Sequence, residues 1–299
     1  MASIRKRKVG KHTYYYLEHA LRRNGKVEKR ELYLGKTLPK NLNEIKSNFL
    51  GQVYKEKWFS ALEKIRNAAA KENRVTPPSA REQELEKFSI KFTYDTQRIE
   101  GSTLTLRETA DLLEKGISPR AKPVRDAKEA EAHQKLFYEM LETKKNPSLQ
   151  LVLEWHHKLF SETKPDLAGK VRQHQVAIAG SRFMPPSPAE VPPLLGEFFK
   201  WYARSKDKTH PVELAALAHL KFVTIHPFAD GNGRVSRLLM NFVLYRNGFP
   251  MLNIPYEGRS GYYRALERAQ TKRLDATFVQ WLFKRYLKEY ARYLKVKQK

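Results

Sequence analysis

Within one twelve-residue stretch, His226-Pro227-Phe228-Ala229-Asp230-Gly231-Asn232-Gly233-Arg234-Val235-Ser236-Arg237, the chain gathers a base, a carboxylate, a glycine-rich turn and two guanidiniums. His226 carries the side chain whose ordinary pKa lies nearest neutrality, which suits a general base. A Gly-Asn-Gly turn opening a helix presents free backbone N–H groups and the positive end of the helix dipole, a ready anion site. Arg234 and Arg237 fall in the first turn of that helix, where cations oppose the dipole unless an anion is bound. The pair therefore points to phosphates. Asp230 offers a hard oxygen suited to Mg²⁺ bridging a diphosphate. Phe228 is the apolar anchor of the loop. Each residue alone has a bland reading, a buried histidine or a simple turn. The combination is what signals chemistry.

Two helices must hold this loop. Leu214, Leu217, Ala218 and Phe222 form an apolar stripe entering it, and Val235, Leu238, Leu239, Phe242 and Val243 form another leaving it. Most of the remaining chain also reads as helix. The spacing predicts helices over 42–73 with a break at Gly51, then a stop at Thr76-Pro77-Pro78. Ser79 with Glu82 is read as a capping box opening a helix that runs to Ile99 and ends at Gly101. Thr105 with Glu108 opens the next, which stops at Gly116. Helices follow over 124–144 and from Ser148 to Phe160. Val176, Ile178 and Met184 flank Gly180, predicting a short β-hairpin within 171–184 that Pro185, Pro186 and Pro188 end. Ser187 and Glu190 cap a helix to Arg204, and from Pro211 onward the pattern is helical, interrupted at 226–233 and 247–260.

The N-terminal part differs. Arg5–Val9, Tyr14–Leu21 and Val27–Leu34 read as a three-stranded meander, with Asn24-Gly25 as the hairpin turn. Tyr14, Tyr15 and Tyr16 among Arg and Lys fit either base stacking or the packed face of a small sheet.

The chain has 299 residues, a net charge of +25 and no cysteine. The missing thiols exclude disulfides, thiolate metal sites and a cysteine nucleophile. No run of 18 apolar residues exists, and the basic N-terminus lacks the apolar core of a secretory signal, so the expected location is the cytoplasm. Residues 1–40 carry a net +9 and residues 281–299 a net +6. Such charge attracts nucleic acid or acidic proteins, and it equally serves as a solubilising surface.

The 226–237 stretch resembles the Fic family signature, His-x-Phe-x-(Asp/Glu)-Gly-Asn-Gly-Arg-x-x-Arg, at every specified position. The resemblance extends over residues 80–290. Residues 171–204 resemble the family's flap hairpin and the helix behind it, and Gly261-Tyr262-Tyr263-Arg264-Ala265-Leu266 resembles the segment lining the nucleoside pocket. It implies a mainly α fold: a Fic-type helical core with a β-hairpin flap, to which the small β-meander is added. The implied activity is transfer of AMP from ATP to a Ser, Thr or Tyr hydroxyl of a target protein. His226 would be the base, and Asp230 would hold Mg²⁺. Gly231, Asn232 (backbone and side chain) and Gly233 would cradle phosphate, with Arg234 on the β- and Arg237 on the γ-phosphate. Tyr262, Tyr263 and Gln270 would line the nucleoside, Gln270 standing where the family often has Asn. Val176, Ala177, Ile178, Ala179 and Gly180 would pair with the target backbone.

Thr96-Gln97-Arg98-Ile99-Glu100-Gly101 resembles the family's inhibitory pattern, (Ser/Thr)-x-x-x-Glu-(Gly/Asn). The resemblance implies that Glu100 pairs with Arg237 and blocks the γ-phosphate, a class II arrangement with the brake in the same chain. In some relatives the same Glu serves removal of AMP, so a de-AMPylase is a second expectation. A third is a basic nucleic-acid or partner-binding protein in which the Fic domain is secondary. Family members often form homodimers. The expected segments are a basic β module (1–40), a helical linker (41–78), a helical extension with the inhibitory helix (79–146) and the core with C-terminal helices (147–299).

Overall fold

The computed structural model describes residues 2–23 and 26–294. The Asn24-Gly25 turn and the last five residues of the basic C-terminus lie outside them. The described chain divides into two compact units, one within Met1–Ile65 and Tyr290–Lys299, the other Arg66–Glu289.

The first unit opens with an antiparallel meander, β1 (Ser3–Val9), β2 (His12–Arg23) and β3 (Lys26–Gly35), with β2 central. Its register sets Arg5 opposite Tyr16 and Tyr16 opposite Tyr33, with an irregularity between Tyr15 and Tyr16. Period-2 alternation then puts Leu17 and His19 on a buried face. Arg5, Arg7, Tyr14, Tyr16 and Tyr33 share the other face, where the Tyr16 and Tyr33 rings lie 5.3 Å apart and the Arg7 guanidinium sits over Tyr16. Helix α1 (Leu42–Tyr54) passes straight through Gly51. The predicted break is not there, because Gly51 keeps ordinary helical backbone and an isolated helical glycine costs only about 1 kcal/mol. The irregularity falls one turn later, as a π-turn over Lys55–Phe59 that leads into α2 (Ser60–Val75).

The second unit is helical. Its elements are the rest of α2, α3 (Pro78–Ile99), α4 (Leu106–Lys115), α5 (Val124–Glu142), α6 (Leu149–Phe160), α7 (Val191–Ser205), α8 (Pro211–Ile225), α9 (Asn232–Arg246), α10 (Arg259–Thr271) and α11 (Asp275–Glu289). Caps explain several of the ends. Thr105 and Glu108 form the expected box before α4, and Gly116 closes that helix in the left-handed region. Ser148 caps α6, and Ser187 with Glu190 forms the box leading into α7. The Ser79–Glu82 box is not formed. Pro78 takes the first helical position, where its fixed φ is already helical and its missing N–H is no loss, so Ser79 lies inside α3.

Residues 171–187 form no strands. The expected hairpin is instead two arms about a turn closed by Ser181 N–H to the Ile178 carbonyl at 3.0 Å. Pro185 and Pro186 supply no N–H for a ladder. Side chains bind the arms in its place: Arg172 donates to the His174 and Pro186 carbonyls, and Gln175 to that of Pro185.

The core around the site is built by α8, apolar nearly all round, and by the buried face of α9. Among the described residues no helix is long and apolar enough to cross a membrane.

Candidate active site

The loop between α8 and α9 is fixed at both ends. Helix α8 stops because His226 adopts a left-handed conformation (φ 53°) and Pro227 follows. That conformation costs a non-glycine residue roughly 1–2 kcal/mol. Arg172 opposes the cost: buried, it donates from Nε to the His226 carbonyl at 2.8 Å, and its own N–H bonds the Pro227 carbonyl. Phe228 is fully buried and stacks on His156, with ring centroids 3.8 Å apart. His156 donates from Nε2 to the Asp230 carbonyl and accepts at Nδ1 from Gly169 N–H, so one neutral tautomer satisfies both bonds. Burial pushes its pKa down to about 4, which keeps that tautomer uncharged. Gly231 has φ 82°, and a Cβ there would meet the Phe160 ring at 2.3 Å. Only glycine fits.

Asn232 accepts from Phe228 N–H at 2.9 Å and donates to the Phe228 carbonyl at 2.7 Å. Its side chain therefore staples the loop, and the expected phosphate cradle loses that group. The first-turn N–H groups of α9 are what the loop offers an anion.

His226 Nδ1 lies 3.2 Å from the Val223 carbonyl, which only accepts, so the ring proton sits on Nδ1 and Nε2 carries the lone pair. Burial lowers the His226 pKa, with Arg172 adding to the effect and the Val223 bond, Glu100 and Asp230 opposing it. The imidazole is a neutral base at pH 7.

Arg234 and Arg237 are almost fully buried and each is held by acids. Arg234 donates to Glu129 of α5, to Gln97 of α3 at 3.1 Å and to Asp230 at 3.2 Å. Asp230 also accepts from Lys164 and from Gly231 N–H. Burial alone would raise the Asp230 pKa, but Arg234, Lys164 and the N–H hold it at about 2. Arg237 donates to the Glu100 carboxylate at 2.7 Å, to the Thr96 hydroxyl and to the Thr96 carbonyl at 3.2 Å. Thr96, Glu100 and Arg237 thus come together. Gly101, with φ 98°, turns the chain away just after Glu100.

The other expected nucleoside residues divide. Tyr262 is buried, and its hydroxyl is taken up by His219 at 2.9 Å and by Arg237 at 3.5 Å, so it supports Arg237 from behind. Tyr263 is half exposed and donates to the Ile99 carbonyl at 2.9 Å. Gln270 bonds Thr224 of α8 at 3.2 Å. The turn over Val176–Gly180 is mostly exposed and is tethered to α10 through Arg182 N–H and Glu267. Sequence reasoning missed Glu129, Lys164, Arg172, His156 and His219. Only Arg172 lay in a segment already singled out; the others are single polar residues on ordinary helices and their edges.

Among the described residues no group of three metal-ligating side chains converges. Asp230, an ionised carboxylate, directly precedes the Gly231-Asn232-Gly233 turn. That fits Mg²⁺, which keeps most of its waters and is commonly held by one or two carboxylates together with substrate phosphates.

Residues 146–244 match the Fic/DOC family. Protein adenylyltransferase Fic of Drosophila ananassae is 38% identical over 180 residues, covering 59% of this chain and 36% of that protein. Protein adenylyltransferase fic-1 of Caenorhabditis elegans is 35% identical over 209 residues, covering 68% and 41%. The chain thus spans less than half the length of these curated relatives. Among solved structures, a Fic domain containing signaling protein from Bacteroides thetaiotaomicron superposes with a TM-score of 0.70 at 28% identity, over 78% of this chain and 96% of that one. A fragment of Fic-1 from Caenorhabditis elegans superposes with a TM-score of 0.69 at 29% identity, over 85% and 76%. With the complete signature set between α8 and α9 and the fold shared with these structures, residues 146–244 form a Fic domain.

Proposed function

We propose that this protein transfers AMP from ATP to a hydroxyl side chain of a target protein, and that Glu100 restrains the reaction. The carrying observation is the Glu100–Arg237 contact at 2.7 Å, one helical turn from the loop that bears the neutral base His226. The curated relatives' names, protein adenylyltransferase, support the same reading.

In this reading His226 Nε2 takes the proton of the target hydroxyl. The oxygen attacks the α-phosphorus of ATP, the bond to the β-phosphate oxygen breaks, and pyrophosphate leaves. The N-terminus of α9 and the two arginines neutralise the phosphates, Arg234 on the β- and Arg237 on the γ-phosphate, so catalysis is mainly positioning and charge stabilisation. Mg²⁺, held at Asp230, would supply further neutralisation of phosphate charge. Tyr263, exposed beside the buried Tyr262, is the tyrosine placed to meet the nucleoside. The arm around Val176–Gly180 receives the target as an added extended segment.

Glu100 acts by occupancy. A carboxylate on a guanidinium fork takes the donors that a phosphate needs. Thr96 holds the same guanidinium, so the brake and the phosphate site share one residue.

Intact mass after incubation with ATP and Mg²⁺ tests this. The Glu100→Gly protein, alone or with a cellular extract as target source, should gain AMP on protein, and Glu100→Gly/His226→Ala should not. An unmodified mass throughout, with ATP bound to Glu100→Gly, contradicts the proposal.

A further inference from the structure

The reaction gives Lys164 no step, yet its ammonium is held by three neighbours. Lys164 follows α6, where its N–H bonds the Phe160 carbonyl at 2.7 Å and Pro165 comes next. Its ammonium lies over the Phe160 ring, bonds one oxygen of Asp230 and sits 3.3 Å from one oxygen of Glu129. The second oxygen of each carboxylate faces Arg234. Two acids and two bases therefore close a ring in which each carboxylate meets both cations. The ring borders a polar cavity of about 90 Å³ that Glu100 also lines.

The two cations are not equivalent. Arg234 is buried and also bonds Gln97, so it cannot leave without orphaning several partners. Lys164 is partly exposed on a flexible stem and has two acceptors. It can give up Asp230 and keep Glu129. Asp230, the carboxylate suited to Mg²⁺, thus already has a cation of its own.

We propose that the Lys164 ammonium holds the place of a divalent cation between Asp230 and Glu129, so that metal enters the site only together with a polyphosphate. The second clause rests on the nucleotide reading above; the exclusion of free metal does not. Without the ammonium the ring keeps two carboxylates and one guanidinium, and the cavity it borders, lined also by Glu100, Asp126 and Arg125, is a net negative site of hard oxygens. With it, a metal ion arriving alone must displace a paired charge from a partly buried carboxylate. Phosphates brought with the metal would give the ammonium new partners.

Mn²⁺ alone, without nucleotide, is the probe, with free Mn²⁺ read by electron paramagnetic resonance on the full chain. Wild type and Lys164→Arg should leave Mn²⁺ free. Lys164→Ala should bind one ion at least about tenfold more tightly, and adding Asp230→Asn should abolish that binding. Lys164→Met, which keeps the stem, should behave as Lys164→Ala if the latter does not fold by circular dichroism. The proposal is overturned if wild type binds Mn²⁺ as tightly as Lys164→Ala. It is equally overturned if removing the ammonium creates no Mn²⁺ binding that depends on Asp230. ATP titrated separately keeps the two readings apart, because failure of Glu100→Gly to bind ATP contradicts the nucleotide reading and leaves the Mn²⁺ result standing.

Discussion

At His226 the ring proton is tied to the Val223 carbonyl, and Nε2 is left unprotonated at neutral pH because burial lowers the imidazole pKa. A base with a lowered pKa stays unprotonated as pH falls through the ordinary histidine value near 6.5, and is lost only below it. The Glu100→Gly protein should therefore keep its kcat/KM as pH drops through 6.5 and lose it at lower pH. An acid limb at or above 6.5 contradicts this. His226→Ala in the same background should lower the rate about 10²–10⁴-fold, the usual range for a general base. Asp230, held at about 2, stays ionised across that whole profile and adds no second limb near neutrality.

The elements explain why the loop keeps its shape. Helix α6 supplies His156 and Phe160, one bonding the Asp230 carbonyl and the other filling the space beside Gly231. Gly231→Ala forces a methyl onto that ring and a non-glycine residue into a left-handed backbone. It should destabilise the protein by about 2–4 kcal/mol, read from the urea midpoint; an unchanged midpoint contradicts the packing described. Thr105→Ala removes a formed capping box and should cost about 1 kcal/mol. These features differ in how far the sequence shows them. The 226–237 stretch and the boxes at Thr105 and Ser187 are local, so residue order alone displays them. Arg172, Glu129 and Lys164 reach the site from elements tens of residues away; Arg172 lies in the segment that resembles the flap, and nothing in the neighbourhoods of the other two marks them. The mistaken readings were local too. Gly51 does not break α1, Pro78 displaces Ser79 as the start of α3, and prolines with side-chain bonds replace the ladder expected over 171–184.

On the scale of the whole molecule, buried titratable groups and surface charge each make a prediction. His133 and His219 are fully buried, and burial pushes both down to about 3. The unfolded chain takes up protons on them near 6.5 and the folded chain only near 3, so stability falls as pH drops between those values. The melting temperature should decline from pH 6.5 to pH 4; a flat curve there contradicts it. Residues 1–40 carry a net +9, and one sheet face presents Arg5, Arg7, Tyr16 and Tyr33. If that face binds nucleic acid, a salt-sensitive gel shift should vanish when residues 2–40 are deleted, and a shift that survives places the binding elsewhere. The central claim concerns the fate of ATP, and the most direct measurement compares two labels. Glu100→Gly is incubated with ATP labelled at the α- or the γ-phosphate, beside wild type and Glu100→Gly/His226→Ala. The account predicts protein-bound label from the α position only, at least about tenfold above wild type, and absent from the double variant. Label transferred from the γ position, or equal transfer by wild type and Glu100→Gly, would contradict it.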